Sequence, residues 1–159
     1  NRLDDSIVTY IKRKFNLVIG RKTAKALKES IGAALPGRTD KMAVVGRDVV
    51  SGLPIEMEIA ASVVSEGIRD DLDSIGSNIK MILEKVPPEL AKDIVKSGVY
   101  LTGGGSLISD LAEYFSSLTN IGTNVAENGD EAVARGLNWV LSDEKYRRFG
   151  TTMKARLFN

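Results

Sequence analysis

The chain contains neither cysteine nor histidine among its 159 residues. Without cysteine it can form no disulfide, thiol nucleophile or cysteine-ligated zinc site. Without histidine it has no imidazole acid–base chemistry and no Ser-His-Asp triad. Any catalysis would therefore depend on carboxylates, lysine, serine or threonine, or on a carboxylate-bound metal. The absence of cysteine is also typical of a cytosolic protein.

The sequence also lacks a dominant charge and long apolar runs. The formal net charge is +1, so the charge balance gives no reason to expect nucleic acid as a partner. No apolar run approaches the roughly 18 residues needed to cross a bilayer, and no secretory signal opens the chain. With 43% apolar and 27% charged residues, the composition is typical of one globular domain or one lobe of a larger protein. Because a helical pattern is already under way at Asn1, we expect the chain to be a fragment.

Three consecutive glycines, Gly103, Gly104 and Gly105, are the most informative feature. They follow a short apolar run typical of a strand, and an amphipathic helical pattern begins directly after them. A strand, a glycine turn and a helix start bring backbone N–H groups close to an anionic or polar ligand, because no Cβ atom blocks the approach. The turn is therefore a candidate nucleotide cradle. A plain tight turn is the alternative interpretation.

Apolar periodicity predicts the remaining elements. Helical spacing indicates helices over residues 3–15, 24–34, 64–86, 89–95, 107–115 and 132–141. Segments 42–50 and 55–59 flank the turn at 51–54, and the second alternates apolar and acidic residues. This pattern predicts a β-hairpin with one buried face.

The last third of the chain predicts a small parallel sheet. From residue 98 onward the order is strand, helix, strand, helix, with strands at 98–101 and 123–126. Two parallel strands make a poor independent sheet, so we expect its missing strands upstream of Asn1. The predicted fold class is α/β with α+β parts.

Several short sequence motifs follow one another along residues 1–141 in a fixed order. They are Asp4-Asp5-Ser6-Ile7, Asn16-Leu17-Val18-Ile19-Gly20, Ile31-Gly32, Gly46-Arg47-Asp48, Ser51-Gly52-Leu53-Pro54, Pro87-Pro88-Glu89-Leu90, Leu101-Thr102-Gly103-Gly104-Gly105-Ser106-Leu107 and Val133-Ala134-Arg135-Gly136. Together they resemble the MreB family, the bacterial actins of rod-shaped cells. The resemblance implies the actin-like ATPase fold (ribonuclease H-like), in which ATP and Mg²⁺ lie between two lobes. This chain resembles most of the second lobe.

The resemblance also implies a division of that lobe. Residues 1–19 and 61–141 would form part of an inner subdomain with an incomplete sheet. Residues 20–60 would form an outer subdomain that contains helices and the antiparallel hairpin. Residues 142–159 would form a basic C-terminal tail, either a membrane-surface or partner-binding segment or an ordinary terminal extension.

In this family the adenosine lies between the second helix of the outer subdomain and the glycine turn. Carried over, Lys28 and Glu29 would flank the adenine or ribose, and Gly103 to Gly105 would cradle the nucleoside and α-phosphate. Ser30 stands at the family's usual acidic position, so Glu29 would have to substitute for it. The phosphate loops and the Mg²⁺-associated Asp of the family precede the segment that matches Asn1. We therefore expect no catalytic and no metal-ligating residue in this chain.

The resemblance implies a function for the full-length protein. It would be a slow ATPase that forms nucleotide-dependent filaments in the cytoplasm, at the inner face of the cell membrane. Its partners would be further copies of itself, a RodZ-like membrane adaptor and the cell-wall synthesis machinery, and not nucleic acid. The alternatives are a non-hydrolysing interaction module and another actin-fold ATPase or kinase. An Asp-x-Gly phosphate motif upstream would favour the ATPase.

Overall fold

Residues 2–146, which the computed structural model describes, form α-helices, β-strands and one 3₁₀ turn. In chain order they are α1 (Arg2–Phe15), β1 (Leu17–Val18), α2 (Arg21–Ile31), β2 (Lys41–Asp48), β3 (Pro54–Ala60), α3 (Ala61–Glu84), α4 (Pro88–Ser97), β4 (Val99–Leu101), the 3₁₀ turn (Gly104–Leu107), α5 (Leu111–Thr119), β5 (Thr123–Val125) and α6 (Ala132–Ser142). Most of the predicted tail, from residue 147 onward, lies outside the described residues.

Strands β1, β2 and β3 form an antiparallel sheet in that order. The predicted hairpin is confirmed, with Met42 opposite Ile59 and Val44 opposite Met57. Its first strand ends at Asp48, whose carboxylate accepts hydrogen bonds from the backbone N–H groups of Val50 and Ser51. These bonds stabilise the turn, and the Ser51 N–H in particular lowers the pKa of Asp48.

Strand β1 was not predicted. It pairs with β2, Leu17 opposite Asp48, and so joins the sheet of the hairpin although it lies within the segment assigned to the inner subdomain. A strand of two residues is too short to show an alternation of apolar and polar residues. The division at residues 20 and 60 stays a prediction.

One continuous core joins the two predicted subdomains. Helices α1, α2 and α3 pack against one another and against one face of the sheet. The largest fully buried side chains are Ile7, Ile11, Leu17, Leu27, Ile59, Ile68 and Val64. They come from three helices and two strands, so the core orders these five elements relative to one another.

The predicted parallel pair is confirmed as β4 and β5, with Val99 opposite Thr123 and Leu101 opposite Val125. Among the described residues, this sheet has two strands. Gly98, which lies between α4 and β4, has a φ of +76°, and a Cβ atom there would lie 2.4 Å from the carbonyl oxygen of Gly122. Glycine is therefore required where α4 turns into β4.

The expectation that a helix begins directly after the glycines is wrong. The 3₁₀ turn ends at Leu107, Asp110 adopts the left-handed conformation at a φ of 61°, and α5 begins only at Leu111. Between them Ser109 forms a parallel bridge with Ala33. The same bridge shortens the predicted helix over 24–34, because Ala33 cannot be helical and extended at once. Gly104 and Gly105 therefore belong to a short 3₁₀ turn, which lacks the dipole of a longer helix.

Candidate functional site

A cleft of about 330 Å³ opens between α2 and the 3₁₀ turn. Its lining residues are Lys28, Glu29, Gly104, Leu107, Ile108 and Asp130. Lys28 and Glu29 come from the last turns of α2, and Gly104 comes from the glycine turn that follows β4. The structure thus brings three of the five predicted site residues into one site.

The three glycines have different places in this turn. Gly103 has a φ of +86°, and its N–H donates to the carbonyl oxygen of Gly129 at 2.7 Å. Its own carbonyl oxygen accepts from the Ser106 hydroxyl at 2.7 Å, so Gly103 holds the shape of the turn. A Cβ atom on Gly104 would meet no atom within 4 Å, which leaves the backbone open to a ligand. Gly105 lines an adjoining apolar cavity of about 180 Å³.

Lys28 is engaged in a buried ion pair. Its Nζ lies 2.6 Å from Oδ1 of Asp4, and the two side chains are 7% and 9% exposed. Asp4 lies in the first turn of α1 and Lys28 in the last turn of α2, where each charge is favoured by its helix dipole. The lysine charge is therefore neutralised inside the protein, and the ion pair holds the side chain in place where it lines the cleft.

Two carboxylates of the cleft remain exposed to solvent. Glu29 has 60% of its side chain exposed and lies 3.7 Å from Lys25 one turn earlier, a weak surface pair. Asp130, also exposed, lies in the loop after β5. Both oxygens of a carboxylate accept hydrogen bonds, so Glu29 and Asp130 suit a ligand that presents hydroxyl or amino groups.

Asp130 is the site residue that sequence reasoning missed. It lies beyond the carboxyl end of β5, and the glycine turn lies beyond the carboxyl end of β4. Because β4 and β5 are parallel, their carboxyl ends meet at one edge of the sheet, where ligands bind in open α/β sheets. The predicted strand at 123–126 was the signal that could have directed attention to Asp130.

The chemistry of the cleft suits a nucleoside better than a phosphate. Leu107 and Ile108 offer apolar surface to a flat base, and Glu29 and Asp130 accept hydrogen bonds from sugar hydroxyls. With Lys28 paired to Asp4, the uncompensated charge of the lining residues is negative and would repel phosphate. Across residues 2–146, no group of three Asp, Glu, His or Cys side chains could hold a metal ion.

None of the helices within residues 2–146 has the length and apolar character required to cross a membrane.

Comparison with known proteins identifies one family along nearly the whole chain. The family model described as MreB/Mbl protein matches residues 1–148. The cell shape-determining protein Mbl of Bacillus subtilis (strain 168) is 35% identical over 144 residues, 90% of this chain and 43% of that protein. The cell shape-determining protein MreB of Escherichia coli (strain K12) is 36% identical over 137 residues, 86% of this chain and 40% of that protein.

Solved structures agree with this match. The crystal structure of MreB5 of Spiroplasma citri bound to AMPPNP is 33% identical with a TM-score of 0.86, over 94% of this chain and 44% of that one. The ADP-bound form is 32% identical with a TM-score of 0.87, over 95% of this chain and 46% of that one. A MamK filament, 19% identical with a TM-score of 0.71, supports the fold alone, over 94% of this chain and 46% of that one. The chain spans less than half the length of these relatives.

Proposed function

Because this chain belongs to the MreB/Mbl family, we propose that it is the C-terminal half of a bacterial actin-like cytoskeletal ATPase. Its fold is the actin-like α/β fold of the MreB5 structures. The full-length protein binds ATP with Mg²⁺, forms nucleotide-dependent filaments and determines rod cell shape by organising cell-wall synthesis. The relatives named as cell shape-determining proteins and the AMPPNP and ADP in the MreB5 structures support this proposal.

The observation that carries the proposal is the single cleft where Lys28 and Glu29 face Gly104. In the proposed complex, the base lies against Leu107 and Glu29 accepts hydrogen bonds from the ribose hydroxyls. Gly104 lets the backbone approach the nucleoside closely. ATP supplies the phosphoanhydride bond that is hydrolysed, and these residues bind and orient its nucleoside end. Because the carboxylates of the cleft repel phosphate, the phosphate groups and the Mg²⁺ that accompanies them are bound by residues outside this chain.

The tip of the hairpin is the proposed surface for self-association. Val49, Val50 and Leu53 are 48%, 85% and 64% exposed there, although apolar side chains gain free energy when they leave water. A second copy of the protein would cover them in a filament. The other proposed partners are a RodZ-like membrane adaptor and the cell-wall synthesis machinery. These place the filaments in the cytoplasm at the inner face of the membrane.

The test is sedimentation and phosphate release by the full-length protein, with and without ATP and Mg²⁺, beside Gly104→Val. A side chain at Gly104 would point into open space, so the variant should fold while valine fills part of the cleft. We expect ATP-dependent pelleting and slow hydrolysis in the wild type and a loss of both in Gly104→Val. The matched control is Gly122→Val, where a Cβ atom also meets nothing within 4 Å but which precedes β5.

A folded wild-type protein that neither pellets nor hydrolyses ATP would contradict the proposal. That result would favour the non-hydrolysing interaction module. If Gly104→Val hydrolyses ATP at the wild-type rate, the protein is an ATPase but the nucleoside does not bind in this cleft.

A further inference from the structure

Arg38 connects the two walls of the cleft although it does not line the cleft itself. It lies in the loop between α2 and β2, with 31% of its side chain exposed. Its guanidinium donates one hydrogen bond to Oγ of Ser109 at 3.1 Å and another to the carbonyl oxygen of Ser30 at 3.3 Å. Ser30 directly follows Glu29, and Ser109 directly follows Ile108. One side chain thus spans from the helix wall to the wall formed by the glycine turn.

The contact with Ser30 provides a hydrogen-bond donor for a carbonyl group at the C-terminal end of α2. The last carbonyl groups of a helix have no partner within it, and a cation is favoured there by the helix dipole. In α2 the Gly32 N–H donates to the carbonyl oxygen of Lys28, and Arg38 donates to that of Ser30. Arg38 therefore holds the helical turn that carries Lys28 and Glu29 into the cleft.

A third contact orients the guanidinium. Nε of Arg38 donates to Oδ2 of Asp40 at 2.8 Å, and this hydrogen bond holds the pKa of the Asp40 carboxyl below its usual value. Because the guanidinium is planar, a bond on the Nε side restricts the directions in which its other two nitrogens point. Asp40 thus orients the two terminal nitrogens of Arg38 toward Ser30 and Ser109.

A backbone contact runs beside the side-chain contact. The Ala34 N–H donates to the carbonyl oxygen of Ser109 at 2.8 Å, and both Ala33 and Ala34 are buried. This short bridge joins the backbones of the two walls at Ser109. The Arg38 bond to the Ser109 hydroxyl adds a side-chain connection at the same residue.

We propose that Arg38 is a positioning residue that sets the separation of the cleft walls and thereby the affinity for the nucleoside. The inference rests on the proposed function, since it requires a nucleoside in the cleft. Arg38 holds Glu29 at the distance from Gly104 at which both contact one ribose, without touching the ligand. Its loss weakens binding and leaves the phosphate chemistry unchanged, because the phosphates lie away from these walls.

The test measures ATP binding by calorimetry and the KM and kcat of phosphate release in the full-length protein. For Arg38→Ala we expect the Kd and KM to rise about tenfold, as for the loss of hydrogen bonds from a charged group, while kcat stays the same. For Ser109→Ala we expect a rise of about threefold. The double variant should bind no more weakly than Arg38→Ala, because both changes remove the same connection.

The controls separate positioning from general stability. Arg47→Ala removes an exposed arginine of β2 that does not line the cleft, and it should leave the Kd unchanged. A purely structural role would lower the melting temperature of the ligand-free protein without the split between KM and kcat. If Arg38→Ala does not fold, Ser109→Ala, which removes a single hydroxyl, gives the deciding result.

If the wild type binds ATP and Arg38→Ala binds it with the same Kd, this inference is wrong and the proposed function stands. If Arg38→Ala does not fold, an unchanged Kd in Ser109→Ala has the same meaning. Equal weakening in Arg47→Ala would also overturn this inference. A wild-type protein that binds no ATP would overturn the proposed function, and this inference with it.

Discussion

Two regions of the molecule use similar amphipathic patterns with different results. In the packed region, formed by α1, α2, the three-stranded sheet and the first half of α3, Leu27 and Ile59 are completely buried. In the thin region, formed by α4, β4, β5 and α6, neither of the two helices contains a buried residue. Leu90 of α4 and Leu137 of α6 are 56% and 59% exposed. An amphipathic stripe thus becomes a buried face only where a neighbouring surface covers it.

The cleft lies where these two regions meet. Lys28 and Glu29 belong to the packed region, whereas Gly104 and Asp130 belong to the glycine turn and loop beside the thin region. The core fixes the first wall and, through Ile108, part of the second, which is also held by a few polar connections. Arg38 makes one of them through Ser109, so the comparison can be tested at the cleft as well as in the core.

The largest expected effect is in the buried pair of the packed region. Lys28→Met removes the cation and leaves Asp4 buried without a partner, which should lower the free energy of unfolding by about 3–5 kcal/mol. Urea unfolding of this chain measures the change. The double variant Asp4→Leu with Lys28→Met should recover most of the loss, because both charges are then absent. A single-variant loss below about 1 kcal/mol would contradict the buried placement of the pair.

A matched pair of leucines tests the contrast directly. Leu27→Ala should lower the free energy of unfolding by about 2–5 kcal/mol, because it opens a cavity in the core. Leu137→Ala should change it by less than about 0.5 kcal/mol, because the side chain already faces solvent. Urea unfolding of the two variants of this chain gives the comparison. Equal losses would contradict it, and a larger loss for Leu137→Ala in the full-length protein would indicate that another part of the protein covers α6.

A smaller effect is expected at high pH, where α5 packs on α3. The Tyr114 hydroxyl donates to Oδ1 of Asp73, and burial followed by this hydrogen bond raises the pKa of Tyr114 to about 12. The unfolded chain loses this proton near the ordinary value of 10.0, while the folded protein keeps it. Stability from Tyr114 is therefore present below that value and is lost as the pH rises toward about 12.

Unfolding by urea below and above the ordinary tyrosine pKa measures this loss, with Tyr114→Phe as the control for other groups that titrate. The wild type should lose more stability than Tyr114→Phe over this interval. Parallel losses in the two proteins would mean that the Tyr114 hydroxyl is not held by Asp73.

The smallest effect on stability is expected at the hairpin tip. Val50 is 85% exposed, so Val50→Asp should change the free energy of unfolding by less than about 0.5 kcal/mol. ATP-dependent pelleting of the full-length protein should nevertheless be lost, because a carboxylate would be buried between copies. Asn78→Asp, at an exposed position of α3, provides the same charge change away from the tip and from the cleft. Unchanged pelleting of Val50→Asp would exclude the tip as the self-association surface.

Local patterns predicted a large part of the fold. The hairpin follows from alternation around a Gly-Leu-Pro turn, and the parallel pair follows from strand–helix order. Lys28, Glu29 and Gly104 line one cleft, and their role as nucleoside-binding residues stays a prediction. Strand β1 could not be predicted because it has two residues and exists only through its pairing with β2. The segment at Ser109 is extended because it forms a bridge with Ala33, which is far away in the chain. Patterns within a few residues of sequence therefore could not predict it.

The sequence by itself determined most of the helices and the strands of the hairpin and the parallel pair, because the period of apolar residues and the placement of glycine act within a few residues of chain. It also determined that sulfur and imidazole chemistry are absent. Only the tertiary structure decided that Lys28 is neutralised by Asp4, that Asp130 joins the cleft and that Arg38 connects its walls. These contacts join segments far apart in the chain. Their energies depend on burial and distance, which arise only when the elements pack.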